Sequence, residues 1–408
     1  MKSLIKQDTI DHFHNPRVMQ GELIGERQRA VLSQERMELA RDEITTWPGY
    51  HPTPLVSLDG LASSAGVAKI HYKDESKRFS LKSFKALGGA YAVLQLLKKN
   101  IPGDVSSSDL MRGKYLDAAS KITVCCATDG NHGRSVAWGA QQFGANCVIY
   151  LHATVSQGRE DAIANFGAEI RRVNGNYDDS VRQAAKDAEE NGWFVVSDTS
   201  YPGYMSVPRD VMQGYTVMID EAIHQLEYRP THCFIQGGVG GLAAAALAQL
   251  WEEYGSDRPR LVVVEPDRAA CLYESAKAGN PVAIHGELDT LMAGLACGEV
   301  SLLAWEVLDE AADDFMVVSD EAAIECMHLM AEGRYGDKPV VAGESAVAGL
   351  AGLLIACANP ELKNSLGLDE SSRILLIGSE GATDEDVYQT IIGKSSSEIE
   401  NIEVSDNA

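Results

Sequence analysis

A chain of 408 residues is long enough for two core-bearing lobes, and 45% hydrophobic with 23% charged residues is the balance of a globular protein, which excludes a disordered chain. The formal charge of −24 at pH 7 argues against a protein that tracks nucleic-acid phosphates, because that task needs a basic face to release counterions. An anionic ligand must therefore be held by local donors and not by the overall field.

Residues 1–15 mix Lys2, Lys6, Asp8, Asp11 and two histidines and lack the apolar stretch of a signal peptide, which predicts a cytoplasmic protein. A segment with Pro52 and Pro54 leads to a helix-like stretch at 84–99. From Lys121 onward, short β-branched runs alternate with amphipathic stretches, the pattern of parallel βαβ units, so the fold class is α/β. Strands are predicted at 121–128, 146–152, 168–174 and 193–199, with helices at 134–143, 157–166 and 177–191 between them. A second series follows: a helix at 209–226, a strand at 231–236, a glycine loop, an alanine-rich helix, and strands at 261–265, 314–318 and 374–377. The expected architecture is two lobes, each with a central, mostly parallel sheet flanked by helices. Residues 1–104 and 205–408 would form the larger, discontinuous lobe, residues 105–204 the smaller one, and 393–408 a frayed acidic tail. The apolar stretches at 242–251 and 346–358 fall short of the ~20 residues that a membrane span needs and read as buried helices. Neither a membrane nor a nucleic acid is an expected partner.

The eight cysteines show no zinc-like spacing, so no metal is expected and buried thiols are the simplest reading. Cys271 and Cys297 both follow glycine-rich elements, and whether they pair is left open.

Gln236-Gly-Gly-Val-Gly-Gly241 joins a strand to a helix, so backbone N–H groups and a helix amino terminus can converge on one anion. The same segment fits G-x-G-x-x-G/A, and Glu265 ends the next strand about where a ribose-binding acid belongs. A dinucleotide site, another phosphate loop and simple tight packing all remain open on this segment alone. A Walker A loop is excluded, because no Gly-Lys-Ser/Thr follows.

Two further segments decide between these. Ser83-Phe84-Lys85 precedes Gly88-Gly89-Ala90, and Thr128-Asp129-Gly130-Asn131-His132-Gly133 sits where a strand end opens a helix. Alone, each has an ordinary reading: a solvated lysine, an Asx-type helix cap, a structural histidine. Together with the glycine loop, in this chain order, they resemble fold-type II pyridoxal-phosphate enzymes such as threonine dehydratase and serine racemase. The resemblance implies pyridoxal 5'-phosphate as cofactor, with the larger lobe holding it. It implies Lys85 as the lysine joined to the cofactor's aldehyde, Asn131 on its phenolic oxygen, and Gly237, Gly238, Val239, Gly240 and Gly241 around its phosphate. Thr128, Asp129 and Gly130 would hold the substrate carboxylate. Ser379, in Leu375-Leu-Ile-Gly-Ser-Glu-Gly381, is the candidate for the pyridine nitrogen, with Thr383 as the alternative. Lys82, three residues before Lys85, is the nearest competing lysine.

Within that family the sequence is similar to the diaminopropionate ammonia-lyases over nearly its full length. The resemblance rests on Trp47-Pro-Gly-Tyr-His-Pro-Thr-Pro-Leu55, the block 72–85, Asp198-Thr-Ser-Tyr-Pro-Gly-Tyr204, Met212-Gln-Gly-Tyr215 and Gly381-Ala-Thr-Asp384. It implies α,β-elimination of 2,3-diaminopropionate, D and L, to pyruvate and two ammonia. Asp129 replaces a small residue of the dehydratases and would serve as a second base beside Lys85, while Asp198 would attract the substrate's β-ammonium. A serine or threonine dehydratase is the alternative inside the family. A dinucleotide-dependent oxidoreductase and a non-catalytic amino-acid sensor are the alternatives outside it. A homodimer is the default assembly.

Overall fold

The computed structural model describes residues 11–128, 130–175, 177–286 and 288–402. It divides into two compact units, Met1–Val31 with Pro52–Lys77 and Met218–Ala408, and Leu32–His51 with Arg78–Val217.

The first unit is built on a seven-stranded sheet. Its strands are β1 (Asp11–His14), β2 (Leu55–Ser57), β3 (Lys69–Asp74), β8 (His232–Gln236), β9 (Arg260–Pro266), β10 (Asp314–Val318) and β11 (Arg373–Gly378). The second unit carries β4 (Thr123–Ala127), β5 (Asn146–His152), β6 (Glu169–Val173) and β7 (Phe194–Val195). The seven strands lie in the order β1-β10-β9-β8-β11-β3-β2, and the four in the order β6-β5-β4-β7. All pairs in the smaller sheet are parallel, and in the larger sheet only the two edge strands, β1 on β10 and β2 on β3, run antiparallel. The α/β class with mostly parallel sheets is thus as expected. Parallel strands covered on both faces read as continuous apolar runs, and β8 to β11 are buried along almost their whole length. The helices Gly241–Tyr254 and Ala348–Ala358, buried nearly all round, are the two long apolar stretches. No helix among the described residues is long and apolar enough to cross a membrane.

Three features differ from the sequence reading. The helix Lys85–Asn100, grouped above with residues 1–104 in the larger lobe, falls in the second unit. The reason is close helix packing: a Cβ on Gly89 would stand 1.7 Å from Ser135 Oγ, and one on Gly139 2.7 Å from Ala90 Cα, so these glycines let Lys85–Asn100 and Asn131–Phe143 touch backbone to backbone. Next, the strand predicted at 193–199 shortens to Phe194–Val195. Beyond Val196 the polar residues turn on themselves, Thr199 N–H donating to Ser197 Oγ and Ser197 N–H to Tyr204 Oη. Finally, the stretch expected to fray forms the helix Ser396–Glu400, closed by a Ser395/Glu398 capping box and anchored by buried Ile399. Residues 403–408 lie outside the described residues.

Candidate active site

In the second unit the candidate side chains Lys85, His132 and Asp198 come together past the carboxyl ends of β4 and β7, where α/β sheets present ligand sites. The chain approaches Lys85 through a strained turn: Phe79, Ser80 and Lys82 all have positive φ, 47°, 62° and 57°. For non-glycine residues this costs about 1–2 kcal/mol each, and strain of this kind collects at functional sites. Phe79 is held there by its ring contact with Trp138, centroids 4.8 Å apart. Lys82 therefore precedes the helix instead of sharing a face with Lys85, which is its first residue.

Lys85 Nζ forms an ion pair with Asp198 Oδ2. The two side chains are 19% and 16% exposed, so the pair is largely shielded from water. Burial alone would raise the Asp198 carboxyl, but the charge of Lys85 and its hydrogen bond hold it well below the usual carboxylate range. Phe84 and Tyr215 wall the lysine, their rings 4.6 Å apart, with Nζ 5.6 Å and 5.9 Å from the two centroids. Thr128 Oγ1 accepts from the N–H groups of Gly130 and Gly133, fixing the turn that leads into the helix Asn131–Phe143. Asn131 is the first residue of that helix. Asp129 lies outside the described residues.

In the first unit the glycine loop has the construction of an anion cradle. Its carbonyls are tied back into the protein: that of Gly237 accepts from Gly240 N–H, that of Gly238 from Cys271 Sγ–H and that of Val239 from Ser301 N–H. Gly238 and Gly240 have φ of 64° and 96°, and no side chain caps the helix that begins at Gly241. The first amides of that helix have no intrahelical acceptor, and the dipole there favours an anion. A Cβ at Gly237 would lie 2.6 Å from Glu265 Cγ, so the close approach behind the loop requires glycine.

Glu265 itself is fully buried and bonded through Oε1 to Leu272 N–H at 3.1 Å and through Oε2 to Tyr273 N–H at 2.7 Å. A carboxyl spent on capping a helix cannot hold a ribose, which removes the dinucleotide reading of the loop. Cys271 and Cys297 are thiols beside Gly238. Ser379, at the end of β11, is buried, and its Oγ accepts from Gln236 Nε2 at 2.7 Å. Gln236 Nε2 also donates to the Ile377 carbonyl, so the amide orientation is set and Ser379 keeps its own proton to donate. Thr383 stands in the turn before Asp384, and Asp384, not Thr383, caps the following helix. The sequence reading missed Gln236 as the partner of Ser379 and took His132 as structural. The position of Gln236, last in a buried strand before the loop, was the available signal for the first.

In the first unit an uncapped cradle of amides and a buried hydroxyl with a free proton suit a phosphate and a pyridine nitrogen, and in the second a shielded lysine suits an aldehyde. The sequence matches the profile of pyridoxal-phosphate-dependent enzymes over residues 46–380. The chain belongs to that family. Among its relatives, the diaminopropionate ammonia-lyase of Escherichia coli K12 is 41% identical over 368 residues, 89% of this chain and 92% of the relative. The crystal structure of the E. coli enzyme with D-serine superposes with a TM-score of 0.86 at 39% identity, covering 94% of this chain and 97% of the other. The crystal structure of that enzyme with an aminoacrylate-PLP azomethine reaction intermediate also gives 0.86 at 39%, covering 95% and 98%. These likenesses extend across both units of this pyridoxal-phosphate family member.

Proposed function

We propose that this protein converts 2,3-diaminopropionate and water to pyruvate and two ammonia by α,β-elimination, with pyridoxal 5'-phosphate as cofactor. Full-length similarity to diaminopropionate ammonia-lyases supports the reaction, and the observation that carries the substrate choice is the shielded Lys85–Asp198 pair. When bound, the cofactor supplies an electron sink for the charge that develops at Cα. Lys85 would be the lysine that holds the cofactor's aldehyde and, as a free amine, the base for the Cα proton on its own side of the substrate. Asn131 serves the phenolic oxygen, Gly237, Gly238, Val239, Gly240 and Gly241 the phosphate, and Ser379 the ring nitrogen. A neutral hydroxyl there leaves that nitrogen largely unprotonated, which suits elimination more than transamination.

Thr128 and Gly130 shape the loop for the substrate carboxylate. Asp129 serves as the base for the D isomer, because D- and L-substrates held by the same contacts present their Cα protons on opposite faces and one base cannot serve both. The ionised Asp198 attracts the β-ammonium, and a hydroxyl in its place offers no charge. The proposal includes a homodimer, the commonest closed assembly, and a cytoplasmic location, consistent with thiols at all eight cysteines.

Borohydride reduction of the holoenzyme followed by peptide mapping tests the lysine assignment. The cofactor mass should be found on the peptide carrying Lys85, and Lys85→Ala should lose both the adduct and all turnover. An adduct on Lys82 or elsewhere would move the attachment site.

A further inference from the structure

His132 lies beside the Lys85–Asp198 pair, and its two ring nitrogens have different surroundings. Nε2 is 2.8 Å from the Val196 carbonyl oxygen and must carry the proton it donates there. Nδ1 is then an unprotonated acceptor. It is buried without a hydrogen-bond partner among the described residues and lies 3.9 Å from Asp198 Oδ2. Burial lowers the imidazole's affinity for a proton, and the nearby Lys85 cation lowers it further, against the opposing pull of Asp198. A buried acceptor left unsatisfied is costly, so such an atom points to a ligand that completes it.

The gap of 3.9 Å is too wide for a direct hydrogen bond but suits one nitrogen donating to both atoms, each at an ordinary 2.7–3.2 Å. Lys85 Nζ already bonds Asp198 Oδ2, which shows that the carboxylate accepts an ammonium at this place. Were Nζ drawn away from this place toward the cofactor's aldehyde, the carboxylate and its neighbouring lone pair would be left to be filled. From this geometry we infer that His132 is a specificity-determining residue: its Nδ1 is the second acceptor, beside Asp198, for the β-ammonium of the substrate. The inference rests on the reading of Asp198 given above. It adds a demand for a nitrogen with at least two protons to donate, which an ammonium meets and the hydroxyl of serine does not.

Two substitutions separate the roles of the two nitrogens. His132→Gln places a donor near Nε2 and keeps the tie to Val196 while deleting the acceptor at Nδ1. His132→Asn places an amide oxygen near Nδ1 and deletes the tie. Selectivity is read as the inhibition constant of D-serine over the KM for D-diaminopropionate. It should fall roughly tenfold to a hundredfold in His132→Gln, the usual cost of one hydrogen bond to a charged group, and be largely restored in His132→Asn. Selectivity kept in Gln but lost in Asn, or lost equally in both, would overturn the inference and leave His132 as a structural tie. Asp198→Asn is the control: if it too keeps full selectivity, the reading of Asp198 fails and the inference goes with it.

An independent readout is the nitrogen resonance of His132 in full-length protein labelled with [15N]histidine and assigned by its loss in His132→Gln. At pH 7 Nδ1 should be unprotonated, and in Lys85→Ala the addition of methylammonium should shift it saturably, an effect that Asp198→Asn should abolish. A protonated Nδ1, or one that does not respond to methylammonium, would contradict the inference.

Discussion

In the proposed reaction Asp198 and Asp129 have different tasks, which sequence alone assigns by resemblance. Asp198→Ala removes the charge that meets the β-ammonium, so kcat/KM for diaminopropionate should fall roughly tenfold to a hundredfold, with serine and threonine affected far less. Equal losses on all three would reject the recognition role. Asp129→Asn keeps the side chain's shape and would remove the proposed base. D-diaminopropionate turnover should then drop by about 10²- to 10⁴-fold, typical of a lost general base, with the L isomer less affected. Parallel losses for both isomers would withdraw the second base.

Glu265 gives a pH signature of another kind. Burial pushes its carboxyl up to about 8 from an ordinary 4.5, against the Tyr273 and Leu272 N–H bonds that favour ionisation. A folded value above the unfolded one means that stability is full below about 4.5 and is lost as the pH rises toward 8. Above about 8 the group is charged directly behind Gly237, next to a cradle for an anion. Cofactor affinity, measured by equilibrium dialysis across pH 6 to about 9, should weaken at the alkaline end in the native protein and much less in Glu265→Gln. Identical profiles would mean that the charge does not reach the loop.

At the scale of elements, strands and their alternation with helices were legible because buried parallel strands are continuous apolar runs, as in Val262, Val263 and Val264. The motifs were legible for a different reason: Gly237–Gly241 and Lys85 occupy fixed places at strand and helix ends. The grouping of the Lys85 helix was not, since Gly88 and Gly89 read equally as weak helix formers and as sites of close packing. Only the structure shows Gly88 against Tyr215 and Gly89 against Ser135. Gly89→Ala should therefore destabilise the protein by about 1–3 kcal/mol, the range for overpacking, seen as a lower Tm together with displacement of Lys85. An unchanged Tm would mean that the helices separate freely. The short β7 was misjudged because Ser197 and Thr199 form local side-chain bonds, which compete with a strand ladder. The same turn carries Asp198 past the sheet end.

For the whole molecule, a charge of −24 leaves anion binding to local devices, and the uncapped helix at Gly241 is such a device. The two units carry different parts of the proposed chemistry, the amide cradle and Ser379 in one, Lys85, Asp198 and His132 in the other. Activity should accordingly require the intact chain. The most direct test of the central claim is pyruvate release by the purified holoenzyme from D- and L-diaminopropionate, D- and L-serine and L-threonine, compared as kcat/KM. Diaminopropionate in both forms should lead, with serine and threonine far behind. A higher value for serine or threonine, or no pyruvate from either diaminopropionate isomer, would contradict the account.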